Sequence, residues 1–270
     1  MKISIITATH NRSECLASIA LPSILKQVDR NFEWIVINDG GNQKTKDIII
    51  DTNAHFPIVY LEMEHPSTGF GLCSARNLGL DAATGDLVTY LDDDNQFASE
   101  FVTLVRQFFQ QNPLVKYSMV RQHRRRDIIK DGNTIRQGKP FISPGTRCNI
   151  CSLIWQQEIF DSNGFAHYRA DAPRWNPAFK VFADYEYLLQ CANIWGNSAF
   201  QLAPQVLVNY FQSSEGIIGS STFAQWATEL EAIAHNCNCY PALRSHNIER
   251  LHQLIHMYQS KASSQPAAFV

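Results

Sequence analysis

Four short apolar runs in the first hundred residues each break off into a polar cluster, and this pattern constrains the fold more than any other feature of the chain. The runs are residues 2–7, Phe32–Asn38, Ile58–Glu62 and 87–91. Amphipathic stretches separate them. Ser13 can cap a helix carrying Leu16, Ile19 and Ile24 on one face, with Pro22 bending it, and the spacing predicts further helices over 73–83 and 99–111. Short β-rich runs alternating with helices read as an α/β fold, an open, mostly parallel sheet flanked by helices. Ligands of such sheets bind beyond the carboxyl ends of the strands. Thr7-Ala8-Thr9-His10-Asn11-Arg12, Asn38-Asp39-Gly40-Gly41 and Asp92-Asp93-Asp94 fall at those ends, so three polar clusters converge on one crevice.

The acidic cluster closes the apolar strand Leu87-Val88-Thr89-Tyr90-Leu91. Like charges at successive positions repel and raise one another's pKa, so three carboxylates in a row are costly unless a cation or a set of donors neutralises them. In extended chain Asp92 and Asp94 point the same way, and hard oxygens of this kind suit Mg²⁺ or Mn²⁺. The alternative is an acidic turn capping the next helix. Downstream, Ser74-Ala75-Arg76-Asn77 occupies the first turns of a helix after Gly69-Phe70-Gly71, where free N–H groups and the helix dipole favour an anion and Arg76 adds a charged fork.

The second half is less regular. Strands are predicted at Lys116–Val120, 148–154 and Gln205–Phe211, a hairpin over Ile128–Ile135 around Asp131-Gly132, and a helix over 184–195. From Thr222 onward Trp226, Leu230, Ile233, Leu251, Leu254, Ile255 and Tyr258 recur at helical spacings. We therefore expect one domain over 1–221, with a crevice half (1–115) and a second half (116–221), a helical extension over 222–260 and a frayed tail over 261–270. With 270 residues and 45% hydrophobic content the chain can bury one large core. A net charge of −2 offers no general field for nucleic acid, and no apolar run reaches the roughly 20 residues that span a bilayer. Seven cysteines, an odd number scattered in apolar stretches, read as free thiols of a reducing, cytosolic compartment rather than as disulfides or a zinc ribbon. His123-Arg124-Arg125-Arg126 reads as a solvated loop, or as a contact for an anionic acceptor or the inner membrane surface.

Taken in order, Thr7–Arg12, Asn38-Asp39-Gly40, Gly71-Leu72-Cys73-Ser74-Ala75-Arg76-Asn77-Leu78-Gly79 and Gly85-Asp86 leading to Asp92-Asp93-Asp94 resemble the family 2 glycosyltransferases of GT-A fold. The resemblance covers roughly the first hundred residues. It implies an inverting, metal-dependent enzyme that moves a sugar from a nucleotide-diphosphate donor of UDP, GDP or dTDP type to a carbohydrate or glycolipid acceptor, in making cell-surface polysaccharide, lipopolysaccharide or glycolipid. Thr7, Ala8, Thr9, Asn11 and Arg12 would then line the base and ribose site. Asp39 would accept from a base N–H or a ribose hydroxyl, and Arg76 and Asn77 would lie along the nucleotide crevice. Asp92 and Asp93 would face the donor, and Asp94 with Asp92 would hold Mn²⁺ or Mg²⁺. Farther on, Phe182-Ala183-Asp184-Tyr185-Glu186 resembles the family's base segment, which makes Asp184 the general base and Glu186 the fallback, with Gly164-Phe165 as the turn upstream. Trp155, Trp175 and Tyr168 can stack on acceptor sugars or pack in the core. The chain departs from the family pattern at Ala183, where an acid is usual, and in Asn209–Ser214, where relatives place an Arg and a His. The third metal ligand thus stays open between water, Ser213, Ser214 and a nearby His. Two other readings remain, a nucleotide-sugar binder that has lost its chemistry and a nucleotidyltransferase, although the latter should carry a Gly-rich loop after its first strand.

Overall fold

The computed structural model describes residues 1–67, 70–130, 133–214 and 216–264. Its strands, among the described residues, are β1 (Ile3–Thr9), β2 (Phe32–Asp39), β3 (Ile58–Met63), β4 (Leu87–Tyr90), β5 (Gln96–Phe97), β6 (Tyr117–Lys130), β7 (Asn133–Arg136), β8 (Phe141–Ser143), β9 (Phe165–Tyr168) and β10 (Ala203–Ser213). The α-helices are α1 (Ser13–Cys15), α2 (Leu21–Leu25), α3 (Gln43–Ile50), α4 (Leu72–Ala82), α5 (Phe101–Gln111), α6 (Ile150–Ile154), α7 (Ala183–Trp195), α8 (Ile217–Ser220), α9 (Phe223–His235) and α10 (Ser245–Ser264). One sheet joins the strands in the order β3-β2-β1-β4-β9-β6-β10-β5, with β7 and β8 on β6. The first four are parallel, as expected. Across β9 the pairing turns antiparallel, and only β6 and β10 run parallel in the second half.

The parallel strands are buried on both faces, which is why they read as continuous apolar runs. Along β2, Ile35 and Ile37 point into a core shared with α4, α7, α9 and α10, whereas Trp34 and Val36 point into another shared with α2 and α5. The extension therefore belongs to the body of the fold. Leu230, Ile233, Leu251 and Leu254 lie in the same core as Leu188 and Leu189 of α7. At roughly 1.5–3 kcal/mol per buried side chain, these four outweigh any single polar contact at that seam.

Several expectations are corrected. Within 148–154 the structure forms a helix, Ile150–Ile154, not a strand, because Asn149 caps it by accepting from the Ser152 N–H and Ile150, Leu153 and Ile154 bury at helical spacing. Ser13 lies inside the first turn of α1 and makes no cap; a π-helical stretch, Leu16–Ala20, leads into α2, which carries Pro22 in its first turn. The His123–Arg126 run is part of β6, not a loop: Arg124 is buried, its guanidinium over the Tyr210 ring, and Arg125 pairs with Asp127. Lys130 pairs with Asn133 as a hairpin requires, while Asp131-Gly132 itself lies outside the described residues, as does Gly69. Residues 261–264 continue α10 rather than fraying, and 265–270 lie outside the described residues.

Candidate active site

The parallel register sets the ends of β1 and β2 side by side, with Thr9 opposite Asn38, and the acidic turn follows β4 next to them. The turn does not keep the two-residue alternation of a strand, because the Asn95 N–H donates to the Asp92 carbonyl at 3.2 Å and curls the chain. The three acids consequently separate into two groups. Asp93 and Asp94 share one guanidinium, Arg12, at 3.1 and 2.6 Å. Thr9 Oγ1 donates to Asp93 at 2.7 Å, and Asn95 Nδ2 donates to Asp94 at 3.0 Å. Burial pushes both carboxyls above their ordinary range against the pull of Arg12, and a neighbouring acid adds to each shift. Asp92 belongs to the other group.

That group is organised by Arg76, which α4 carries into the interior with only 2% of its surface exposed. Its Nη1 donates to Asp184 at 2.8 Å, and its Nη2 donates to Asp92 at 3.0 Å and to Ser162 Oγ at 2.7 Å. The guanidinium lies 4.3 Å from the Trp175 ring centre. One cation thus clamps two carboxylates from opposite halves of the chain, and buried charge of this kind persists only with such partners. A turn that the sequence reading passed over completes the frame. The Ser162 N–H donates to Asp184 at 3.3 Å, Asn163 Nδ2 donates to Asp92 at 2.8 Å, and Asn163 Oδ1 accepts from the Asp92 N–H at 2.7 Å. Asp161 in turn accepts from Asn163 at 2.9 Å. Gly164, at φ +75° with Val120 and Val208 methyls 2.7 Å from where a Cβ would stand, is the residue that lets this turn pass into β9. The polar run Asp161-Ser162-Asn163 just ahead of Gly164-Phe165 was the available signal.

Asp184 and Glu186 diverge although they lie two residues apart on α7. Asp184 faces the crevice, its side chain 27% exposed. Glu186 faces the extension, accepting from Tyr240 Oη at 2.7 Å and from Gln190 Nε2 at 2.8 Å, and burial raises its pKa. Ala183, the departure from the family pattern, is buried in the core. No side chain within α7 caps its N-terminus. Glu229 of α9 does so instead, accepting from the N–H groups of Val181 at 2.9 Å and Phe182 at 2.8 Å.

The remaining candidates scatter. Thr7 points into the core and accepts from the Trp34 indole N–H at 2.9 Å, and Ala8 is half-buried. Asn11 adopts φ 53° and accepts from Asn42 at 3.2 Å. Asn77 exchanges two 2.8 Å hydrogen bonds with the Trp175 backbone, which fixes the loop under Arg76. Asp39 is buried, accepts from His65 Nδ1 at 2.8 Å, and lies so close to Gly71 that a Cβ there would stand 1.9 Å from its Oδ2. Of the aromatic candidates, Trp175 stacks on Tyr187 in the core, Trp155 is exposed, and Tyr168 packs edge-on against Phe109.

Asp92 and Asp94 fit a divalent cation by their chemistry. Each of their four oxygens already accepts one donor, from Arg76, Asn163, Arg12 or Asn95, and a carboxylate oxygen has a second lone pair to offer. Mg²⁺ commonly takes one or two carboxylates and completes its shell with phosphate oxygens and water.

Residues 4–171 match the model of the glycosyl transferase family 2. Two uncharacterized glycosyltransferases of Haemophilus influenzae are 30% and 35% identical over 115 and 116 residues, 43% and 42% of this chain and 37% and 44% of theirs. The chain therefore spans less than half the length of these curated relatives. Among solved structures, S. aureus TarS 1–349 in complex with UDP-GlcNAc superposes with a TM-score of 0.70 at 16% identity, over 98% of this chain and 74% of that one. The mannosyltransferase PcManGT of Pyrobaculum calidifontis, in complex with GDP-Man and Mn²⁺, superposes with a TM-score of 0.60 at 15% identity, covering 98% and 76%. These two likenesses show the shared GT-A fold.

Proposed function

The chain belongs to the family 2 glycosyltransferases, and from that premise we propose that it transfers a sugar, with inversion, from a nucleotide-diphosphate donor to an acceptor hydroxyl. The observation that carries the reading is the Arg76 clamp, which holds Asp184 and Asp92 at 2.8 and 3.0 Å in one buried frame. In the reaction, Asp184 accepts the proton of the acceptor hydroxyl, whose oxygen bonds to the anomeric carbon as the bond to the diphosphate breaks and its electron pair leaves with the phosphate. A single in-line displacement of this kind inverts the anomeric centre. Arg76 and Ser162 keep the base aimed, as general-base catalysis requires. Asp94 and Asp92 would hold a Mn²⁺ or Mg²⁺ ion, which would supply positive charge for a departing diphosphate. Asp39, Arg12 and Thr9 stand at the strand ends where base and ribose would lie. For product we propose a cell-surface polysaccharide, lipopolysaccharide or glycolipid made on the cytosolic side. Among the described residues no helix is long and apolar enough to cross a membrane.

The test is thermal stability against UDP-, GDP- and dTDP-sugars, each with Mn²⁺ and with EDTA; a ligand at about 100 times its Kd stabilises the fold by roughly 2.7 kcal/mol. The panel covers the donor types bound by TarS and PcManGT. A shift with one nucleotide that EDTA abolishes supports the metal-bridged donor site. A shift with no member of the panel removes the donor site from Asp92 and Asp94. Ala183 favours a second reading, a binder without chemistry, which predicts the same shift and no turnover with any acceptor.

A further inference from the structure

We propose that the outer rim formed by β7, β8 and the loop between them is a docking surface for an anionic lipid bilayer. Five of the eleven large apolar side chains exposed among the described residues fall within 135–159, with Ile135 64% and Ile142 48% exposed. The surrounding chain is basic. Residues 121–159 hold eight Lys and Arg against three Asp and Glu, an excess of five positive charges in a chain whose net charge is −2. Arg126, Arg136, Lys139 and Arg147 are exposed. Of the acids, Asp127 is buried against Arg125, Glu158 is half-buried and accepts from the Gly145 N–H at 3.1 Å, and Asp131 lies outside the described residues. The charge that reaches solvent here is therefore positive.

Strand pairing brings these groups together. Arg136 stands opposite Ile128 and Phe141 opposite Arg124, and the Gly138 N–H donates to Asp127 Oδ1 at 3.1 Å, so residues 133–143 run along β6 as its antiparallel rim. Among the described residues β7 and β8 pair with no other strand. Successive side chains of a strand point to opposite faces, so Phe141 and Ile142 leave the rim on both sides. The Arg126 guanidinium lies 5.5 Å from the Phe141 ring centre, which interleaves cation and apolar surface. That combination matches a bilayer interface, where basic side chains meet anionic headgroups and apolar ones reach the acyl boundary. A second copy of the chain fits worse, because two such rims side by side would oppose their positive charges. The surface stands apart from the chemistry proposed above. Its position suits a lipid-borne acceptor, since α6, which follows the rim, is tied to the base segment by Tyr185 Oη donating to the Ile154 carbonyl at 2.7 Å.

Co-sedimentation of the full chain with vesicles is the test, comparing phosphatidylcholine alone with phosphatidylcholine carrying phosphatidylglycerol. Binding should require phosphatidylglycerol and weaken as salt rises. Each Lys or Arg near an anionic surface adds roughly fivefold to binding, so Arg136→Glu with Lys139→Glu should weaken it by about 25-fold or more. Ile135→Ser with Ile142→Ser should weaken it by about tenfold, through loss of the apolar contact. Lys26→Glu with Lys44→Glu, the same change of charge at α2 and α3, should leave it within severalfold. Melting curves check that each variant folds, and Arg136→Gln with Lys139→Gln replaces the charge reversal if that does not. No binding with phosphatidylglycerol, equal binding to both vesicles, or an equal loss in the rim variants and the α2/α3 pair would overturn the docking surface. So would a dimer in light scattering that Ile142→Ser dissociates, since a second copy would then cover the rim.

Discussion

In the parallel half of the sheet the candidate site residues stand at or near strand ends, Arg76 and Asn77 of α4 excepted, whereas in the antiparallel half they are placed by contacts far along the chain. Thr9, Asp39 and the turn at Asp92 are neighbours because β1, β2 and β4 are. Asp184 reaches the same crevice by another route. Its helix starts where Glu229, 45 positions later in sequence (229 − 184), caps it, and its carboxylate is aimed by Arg76 and Ser162. The contrast teaches that strand register brings the polar ends of β1, β2 and β4 together, whereas Asp92 and Asp184 are held by contacts that cross between the halves and the start of α7 depends on the docked extension.

The sharpest way to break this comparison is to exchange the two acids of α7. Asp184→Asn should lower turnover by at least about a hundredfold, the lower end for a general base, with donor affinity largely kept. Glu186→Gln should leave turnover within severalfold, since that side chain is committed to Tyr240 and Gln190. Steady-state kinetics of both variants decide it, and the reverse outcome would transfer the role of base to Glu186.

The next effect is smaller and lies on the seam between the halves. His167 on β9 is buried, donates from Nδ1 to the Tyr168 carbonyl at 2.8 Å and has the hydroxyls of Tyr90 and Tyr187 3.0 and 3.1 Å from its Nε2. Burial lowers its pKa from 6.5 to about 4. Its contribution to stability is therefore complete above pH 6.5 and is lost as the pH falls toward 4, by about 3 kcal/mol for a shift of that size. Asp93 and Asp161, both raised chiefly by burial, act in the opposite sense and lose their contribution as pH rises. Wild type alone would hide the effect. Urea unfolding of wild type and His167→Gln at pH 4 and pH 7 isolates it, and a difference that does not change with pH would mean that His167 titrates normally.

Smallest is the effect of Glu229→Ala, which should cost about 1 kcal/mol, as for loss of a helix cap, and reduce turnover less than Asp184→Asn does. Chemical denaturation and the same kinetic assay measure both. If stability is unchanged, α9 does not set the start of α7, and the two halves are built alike after all.

Much of the fold was legible because apolar periodicity and strand-end polarity are local properties. The α/β class, the parallel first half and the polar ends of its strands all followed from residues adjacent in sequence. The misreadings share one cause, which is that the deciding partner was remote or the local rule was ambiguous. An apolar run such as Ile150–Ile154 suits a strand or a buried helix until its cap is seen. Four basic residues at 123–126 read as solvated until Tyr210 and Asp127 appear beside them. Likewise nothing near Asp92 in sequence announces Asn163, nor anything near Asp184 its cap. By itself the sequence determined which residue types end each strand, and hence a crevice rich in carboxylates with arginines to balance them. Only the tertiary structure decided how those charges pair: Arg12 with Asp93 and Asp94, and Arg76 with Asp92 and Asp184. The physical reason is that a hydrogen bond is settled within about 3 Å, and which groups come that close depends on how the halves of the sheet and the docked helices pack.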